Sequence, residues 1–77
     1  MLAAEAKPFR VVRHSFNGNG ELTERAVLAG QIARGAAIAF IEREGERHPQ
    51  FERDEDRDVW HITDTNGYRH SLLIEGA

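Results

Sequence analysis

The stretch that decides the fold is Asp58–Gly76, which reads DVWHITDTNGYRHSLLIEG. Two segments rich in β-branched, aromatic and aliphatic residues flank the pair Asn66-Gly67. Because Asn and Gly both tolerate a positive φ, this pattern is the strongest short-range signal for a β-hairpin. The stretch also holds the only Trp and the only Tyr of the chain. The sequence therefore predicts two antiparallel strands here, and the stretch carries no recognisable catalytic motif.

Two strand registers are compatible with this turn. The loop consists either of Asn66-Gly67 or of the three residues 65–67, with Gly67 as a left-handed bulge. A shift of one residue exchanges the two faces of a strand, so the register with the cleaner apolar face is predicted. That register is the three-residue loop, which pairs Trp60 with Leu72. It places Trp60, Ile62, Tyr68, Leu72 and Ile74 on one face and Val59, His61, Thr63, Arg69, Ser71 and Leu73 on the other.

Length and composition indicate a small single domain. Seventy-seven residues are close to the lower limit at which a hydrophobic core suffices for folding. The chain has no Cys, which excludes disulfides and thiolate metal sites and is typical of a cytoplasmic protein. The N-terminus is too short and polar for a secretory signal, and no apolar run has transmembrane length. We expect residues 1–7 to be a flexible tail and residues 8–77 to form one α+β domain.

The first half of the chain indicates a second hairpin. Residues 9–16 have the β-branched and aromatic content of a strand, and Asn17-Gly18-Asn19-Gly20 supplies turn residues. A phosphate-binding loop is disfavoured because the Lys-Ser/Thr ending is missing. Residues 21–32 then fit a strand, with Leu22, Ala26, Leu28 and Ile32 on one face.

A long helix is the alternative for this region. Apolar residues at helical spacing would extend it from Thr23 to Arg47. Gly30 and Gly35 would then lie inside the helix, at about 1 kcal/mol each relative to Ala. We therefore predict a strand over 21–32 and a helix over 34–47. Its sheet-facing stripe is Ala33, Ala37, Phe40 and Ile41.

Pro49 disfavours helical geometry at the preceding residue and ends the helix. Residues 49–57 are predicted to be a connecting loop, anchored to the core by Phe51. The predicted fold is thus α+β, a four-stranded antiparallel sheet in ββαββ order with one helix packed on one face.

Three stretches carry a resemblance to known proteins: FRVVRH at 9–14, AAIAFIE at 36–42 and VWHITDTNGY at 59–68. With this order of elements the chain resembles small uncharacterised bacterial ββαββ proteins, families of the domain-of-unknown-function type. Small antitoxin-like folds are a looser likeness. The resemblance implies an architecture and supplies no catalytic residue.

The acidic segment invites a calcium-site interpretation. Asp54, Asp56 and Asp58 have the alternate spacing that opens a calcium-binding loop. Such a loop needs Gly at its sixth position and Glu at its twelfth, where this chain has Val59 and Thr65. A solvated acidic loop is the better interpretation, and no metal-binding residue is predicted.

Histidine and serine give no catalytic pattern. The predicted register places His61 and His70 on opposite faces, so they cannot share a metal ion. The two serines, Ser15 and Ser71, have no elbow motif and no evident partner. We predict no catalytic or cofactor-binding residue, no cofactor and no enzyme activity.

The charge balance bears on the partner. The net charge is −3, which disfavours general binding to phosphate groups. A nucleic-acid-binding or antitoxin-like role is the alternative hypothesis, and it would use Arg10, Arg13, Arg25 and Arg69 if the fold gathers them on one face. The leading hypothesis is a non-catalytic protein-interaction module.

The apolar pattern predicts a homodimer. One helix covers one face of a sheet, and Val59 and Leu73 then point the other way. Apolar runs without alternation are typical of strands buried on both faces. The alternative is that the loop with Phe51 folds over these residues. The predicted interaction surface is Val59, His61, Arg69 and Leu73, with a second copy or another protein as partner.

Overall fold

The computed structural model describes residues 9–48 and 50–76. Five strands and one helix follow each other along the chain. Their bounds are β1 Phe9–Phe16, β2 Leu22–Ile32, α1 Arg34–Gly45, β3 Gln50–Asp54, β4 Val59–Thr63 and β5 Arg69–Gly76. The α+β class is confirmed, and the long helix from Thr23 to Arg47 is wrong. The tail predicted at residues 1–7 lies outside the described residues.

The prediction of four strands is wrong because residues 50–54 form β3. This segment pairs antiparallel with β4, and Phe51 lies opposite Ile62. Its charged residues gave a weak strand signal, but charges are common on edge strands, where they discourage pairing with other chains. β3 is such an edge, because the sheet order is β2-β1-β5-β4-β3.

The hairpin register is the predicted one. Trp60 lies opposite Leu72, and Val59 lies opposite Leu73. The Asp64 N–H donates to the Tyr68 carbonyl at 2.9 Å, and Gly67 has a φ of 87°. The three-residue loop with a left-handed glycine is therefore confirmed.

The turn between β1 and β2 repeats this geometry. The Asn17 N–H donates to the Glu21 carbonyl at 3.0 Å, and Gly20 has a φ of 82°. In each turn the first side chain accepts two backbone N–H groups through Oδ1: Asn17 from Asn19 and Glu21, and Asp64 from Asn66 and Tyr68. Both hairpins thus use one Asx-capped turn, a side-chain cap that Asn and Asp readily form.

Irregular pairing in β2 changes which of its residues share a face. The register with β1 shifts at three points, between Phe9 and Val11, between Val11 and Val12, and between Ser15 and Phe16. Each shift inserts an extra residue into β2, as a β-bulge does. Ala26 lies opposite Arg13, but Leu22 lies opposite Phe16 on the other side of the sheet. The prediction that Leu22 shares a face with Ala26 is wrong for this reason.

The buried cluster lies on the face of the sheet that we call the first face. It joins helix residues Ala37 and Ile41 to strand residues Val11, Trp60, Ile62 and Leu72. Leu28, Phe40 and Phe51 pack against it as half-buried residues. Ala33 is exposed and precedes α1, so the predicted helix stripe begins one turn later than expected.

Candidate functional site

The opposite side of the sheet, which we call the second face, carries the predicted interaction residues. Side chains alternate along a strand, and residues directly opposite each other on neighbouring strands share a face. Val59 and Leu73 are opposite each other, Leu73 is opposite Val12, and Val12 is opposite Val27. These four residues form one line across four strands, which we call the apolar row. Val27 at its end is 54% exposed.

Val12 is an exception within this row, because its exposed fraction is 0%. The strand register shows which side chain shields Val12 from solvent. Along β1, Val12 lies midway between Arg10 and His14. Glu75 of β5 lies opposite Arg10, and Arg25 of β2 lies opposite His14. The Arg25 side chain donates to Glu75 at 2.5 Å and must cross above Val12 to do so. The chain therefore hides one valine of the row by itself, without the Phe51 segment, which packs on the cluster of the first face.

Two histidines flank a buried serine on the second face, two residues along the strands from the apolar row. His14 lies opposite Ser71 on one side, and His61 lies opposite Ser71 on the other. The Ser71 Oγ is 3.1 Å from His61 Nδ1, in hydrogen-bond contact. The sequence missed His14 as part of this surface, because the pairing of β1 with β5 has no local signal.

A groove of about 540 Å³ lies at the turn end of the second face, and we call it the Arg69 groove. Its walls are the Asn17–Gly20 turn and Gly67, and its other lining residues are Phe16, His61, Arg69 and Ser71. No Asp or Glu lines it among the described residues, although the chain has 13 acidic residues. Arg69 is therefore the one formally charged side chain among the described residues that line the groove.

Arg69 also differs from most arginines of the chain. Seven of the nine arginines within the described ranges form an ion pair with Asp or Glu: Arg10, Arg13, Arg25, Arg34, Arg47, Arg53 and Arg57. Within those ranges Arg43 and Arg69 form none. Of these two, Arg69 is the one in the groove, and its charge is available to an anionic group.

The arginines of the nucleic-acid hypothesis are not gathered as free cations. Arg10, Arg25 and Arg69 share the second face, but Arg13 lies opposite Leu72 on the first face. Arg10 and Arg25 both contact Glu75, and Arg13 contacts Glu24 at 2.7 Å. Three of the four arginines thus already contact a carboxylate, and Arg10 and Arg25 share one.

A serine, a histidine and an aspartate form a hydrogen-bonded series on the first face. Ser15 Oγ is 2.8 Å from His70 Nδ1, and His70 Nε2 donates to Asp64 Oδ2 at 3.0 Å. The expectation that no serine has a histidine partner is therefore wrong for Ser15, and the contact of Ser71 with His61 makes it wrong for Ser71 too. In serine hydrolases the serine contacts Nε2 and the aspartate contacts Nδ1, the reverse of this arrangement.

The setting of Ser15 indicates a role in joining strands. Its exposed fraction is 8%, and it is not among the lining residues of the Arg69 groove or of the cavity of about 80 Å³ beside His70. His70 connects Ser15 in β1 to Asp64 in the β4–β5 turn. The hydrogen bond from His70, followed by that from the Tyr68 backbone, lowers the pKa of Asp64. On the second face, contact with Arg10 and then Arg25 lowers the pKa of Glu75.

The acidic segment after β3 is held by cations of the same chain. Asp58 pairs with Arg34 and with Arg53, and Asp54 lies 3.9 Å from Arg57. Across residues 9–48 and 50–76, no three His, Asp or Glu side chains are placed to bind one metal ion. No helix in the part of the chain described here is long and apolar enough to cross a membrane.

Comparisons with protein families, with curated proteins and with solved structures give no match for this chain. The four predicted interaction residues are nevertheless brought onto one surface. Val59 and Leu73 stand in the apolar row, and His61 and Arg69 line the Arg69 groove. Phe16, Val27 and the Asn17–Gly20 turn belong to the same surface and were missed, since their position depends on long-range strand pairing.

Proposed function

We propose that the chain is a non-catalytic protein-interaction module of a bacterial cytoplasmic protein, and that its contact surface is the second face of the sheet. In this proposal α1 covers the first face only. The first partner is a second copy of the chain, which gives a homodimer. The architecture extends the ββαββ layout of the domain-of-unknown-function proteins by one strand, β3.

The apolar row is the observation that carries the proposal. Val27, Leu73 and Val59 occupy one line across the second face and keep part of their surface in contact with solvent. Burying apolar surface contributes about 25 cal/mol per Å², so covering such a row favours association. Polar groups on both sides of the row supply a rim, as is common in interfaces between proteins, and the Arg25–Glu75 ion pair crosses the row above Val12.

The ion pairs of the arginines weigh against the nucleic-acid alternative. A protein that binds phosphate backbones needs basic side chains free to replace counterions. On the second face Arg10 and Arg25 both contact Glu75, so Arg69 is the arginine of this face that contacts no carboxylate among the described residues. A protein surface that combines apolar and charged groups is the better match to this composition.

A Leu73→Lys substitution tests the proposal, because it places a charge in the middle of the apolar row. We expect light scattering after size exclusion at micromolar concentration to give twice the chain mass of 8.7 kDa for the natural sequence. The variant is expected to give one chain mass, with an unchanged circular dichroism spectrum.

Tyr68→Lys is the matched control. Tyr68 is a large exposed residue, whereas Leu73 is half-buried, and Tyr68 lies at the β4–β5 turn outside the apolar row. This variant should retain the mass of the natural sequence. A natural chain that stays at one chain mass up to high micromolar concentration, unaffected by Leu73→Lys, overturns the proposal.

A further inference from the structure

We infer that two copies meet face to face about a two-fold axis that runs along the apolar row, so that the Arg69 groove of each copy receives the acidic turn of the other. This acidic turn is residues 54–58, between β3 and β4. The inference rests on the proposed homodimer and deepens it. It assigns the occupant of the groove and the relative direction of the two sheets.

The groove and the acidic turn lie at opposite ends of the second face. β4 runs from Val59 to Thr63 and continues into the turn at Gly67, which lines the groove. The acidic turn precedes Val59 at the other end of β4. A carboxylate of the acidic turn therefore cannot enter the groove of its own chain, and a second copy is required to bring the two together.

Symmetry about the apolar row brings the groove of one copy and the acidic turn of the other to the same end of the dimer. An axis along the row sets Leu73 against Leu73 of the second copy, and Val59 likewise, while it exchanges the two ends of every strand. Arg69 lies four residues from Leu73 along β5, about 13 Å in an extended strand. Asp54 lies opposite Val59, so Glu55 is the first residue beyond the row on its other side. The acidic turn is thus closer to the axis than Arg69, and it faces the edge of the groove formed by His61 and Ser71, two residues from the row. The contact therefore requires the long Arg69 side chain to extend toward the axis.

The charges at the two ends are complementary. Glu55 and Asp56 at the tip of the acidic turn are exposed, and neither forms an ion pair within the described residues. Asp54 and Asp58 are by contrast engaged by arginines of the same chain. The two unpaired carboxylates would meet Arg69, with His61 beside it in the groove. Because the interface is two-fold symmetric, this contact occurs twice in each dimer.

Charge reversal on each side, separately and together, tests this arrangement. The first variant is Arg69→Glu, and the second carries Glu55→Lys with Asp56→Lys. Each reversal places like charges against each other at two symmetric contacts, so we expect the dimer Kd to rise at least tenfold. The variant that combines all three substitutions restores opposite charges, and its Kd should return to within about threefold of the natural value.

Arg43→Glu is the control with the same change of charge. Arg43 is the other described arginine without an ion pair, but it lies on α1, and its substitution should leave Kd unchanged. Sedimentation velocity over a concentration series measures all five proteins, and circular dichroism confirms that each is folded.

Two results overturn the inference while leaving the proposed dimer intact. One is that every charge variant keeps the dimer Kd of the natural sequence, although the Leu73→Lys variant is monomeric. The other is weakening by each reversal without recovery in the combined variant, which would mean that the groove and the acidic turn do not face each other. A monomeric natural chain is a different outcome, which removes the dimer itself before any charge variant is compared.

Discussion

Asp64 stabilises the β4–β5 turn with both of its carboxylate oxygens. Oδ1 accepts the N–H groups of Asn66 and Tyr68, and Oδ2 accepts the N–H of His70. These donors favour the ionised form, so the pKa of Asp64 is lowered from its usual value of 3.8, chiefly by His70. A lowered pKa means that the folded chain binds this proton less readily than the unfolded chain. The stabilisation is therefore complete above pH 3.8 and is lost as the pH falls through the folded-state pKa.

We predict that Asp64→Asn flattens this acid dependence. The Asn side chain retains an oxygen that can accept the turn N–H groups, but it has no charge to lose. Between pH 6 and pH 3 the urea midpoint of the variant should fall less than that of the natural chain, because the substitution removes Asp64, one of two carboxyl groups with a lowered pKa, and leaves Glu75. Glu42→Gln, on the exposed side of α1, is the control and should keep the natural slope. Equal slopes in all three proteins would contradict the role of Asp64.

The C-terminal end of α1 packs so closely against β3 that the residue at this position must be small. Gly45 is buried at the last position of the helix, and a Cβ there would overlap the ring of Phe51 in β3. The absence of a side chain therefore allows the helix end and the edge strand to approach each other. The sequence gives no sign of this, because a glycine near Pro49 is also expected as a helix-ending residue.

We predict that Gly45→Ala destabilises the fold by up to about 2 kcal/mol, since overpacking costs about 1–3 kcal/mol and the helix-propensity gain of about 1 kcal/mol offsets only part of it. Gly35→Ala is the matched control within the same helix. Nothing lies within 4 Å of a Cβ at Gly35, so this variant should gain up to about 1 kcal/mol. Urea unfolding measures both free energies. A more stable Gly45→Ala variant would show that Phe51 does not press against the helix end.

For the whole molecule, the pairing of β1 with β5 is the decisive contact. It joins Phe9–Phe16 to the last strand of the chain and connects the β1–β2 hairpin to the β3–β4 hairpin. The buried cluster depends on it, because Val11 comes from β1 and Leu72 from β5. Strand pairs this distant in sequence must overcome a large loop-closure entropy before they form.

We therefore predict that a chain ending at Tyr68 does not fold cooperatively. Without β5 the two hairpins have no common neighbour, and an isolated hairpin is at best marginally stable in water. Urea unfolding followed by Trp60 fluorescence should change from a sigmoidal transition to a gradual drift. A sharp transition in the truncated chain would mean that one hairpin and α1 form a core without β5.

The sequence by itself determined the local structure of this protein. The two Asx-capped turns, each with a left-handed Gly at its end, set the β4–β5 register and reverse the chain between β1 and β2. This information is local, because Asn, Asp and Gly favour these turns through their own hydrogen bonds and backbone freedom. The strand over 21–32 and the helix over 34–47 were predicted from turn residues and apolar spacing in the same way, and the helix ends two residues earlier, at Gly45.

Only the tertiary structure decided the position of β3, the order of the strands and the composition of the second face. β3 is charged, and it becomes a strand because β4 offers a partner edge and Phe51 reaches the buried cluster. The bulges of β2 moved Leu22 away from Ala26, and the β1–β5 pairing brought His14 beside Ser71 and Val12 beside Leu73. Such pairings depend on the free energy of burying apolar surface across the whole chain. No short stretch of residues specifies that free energy.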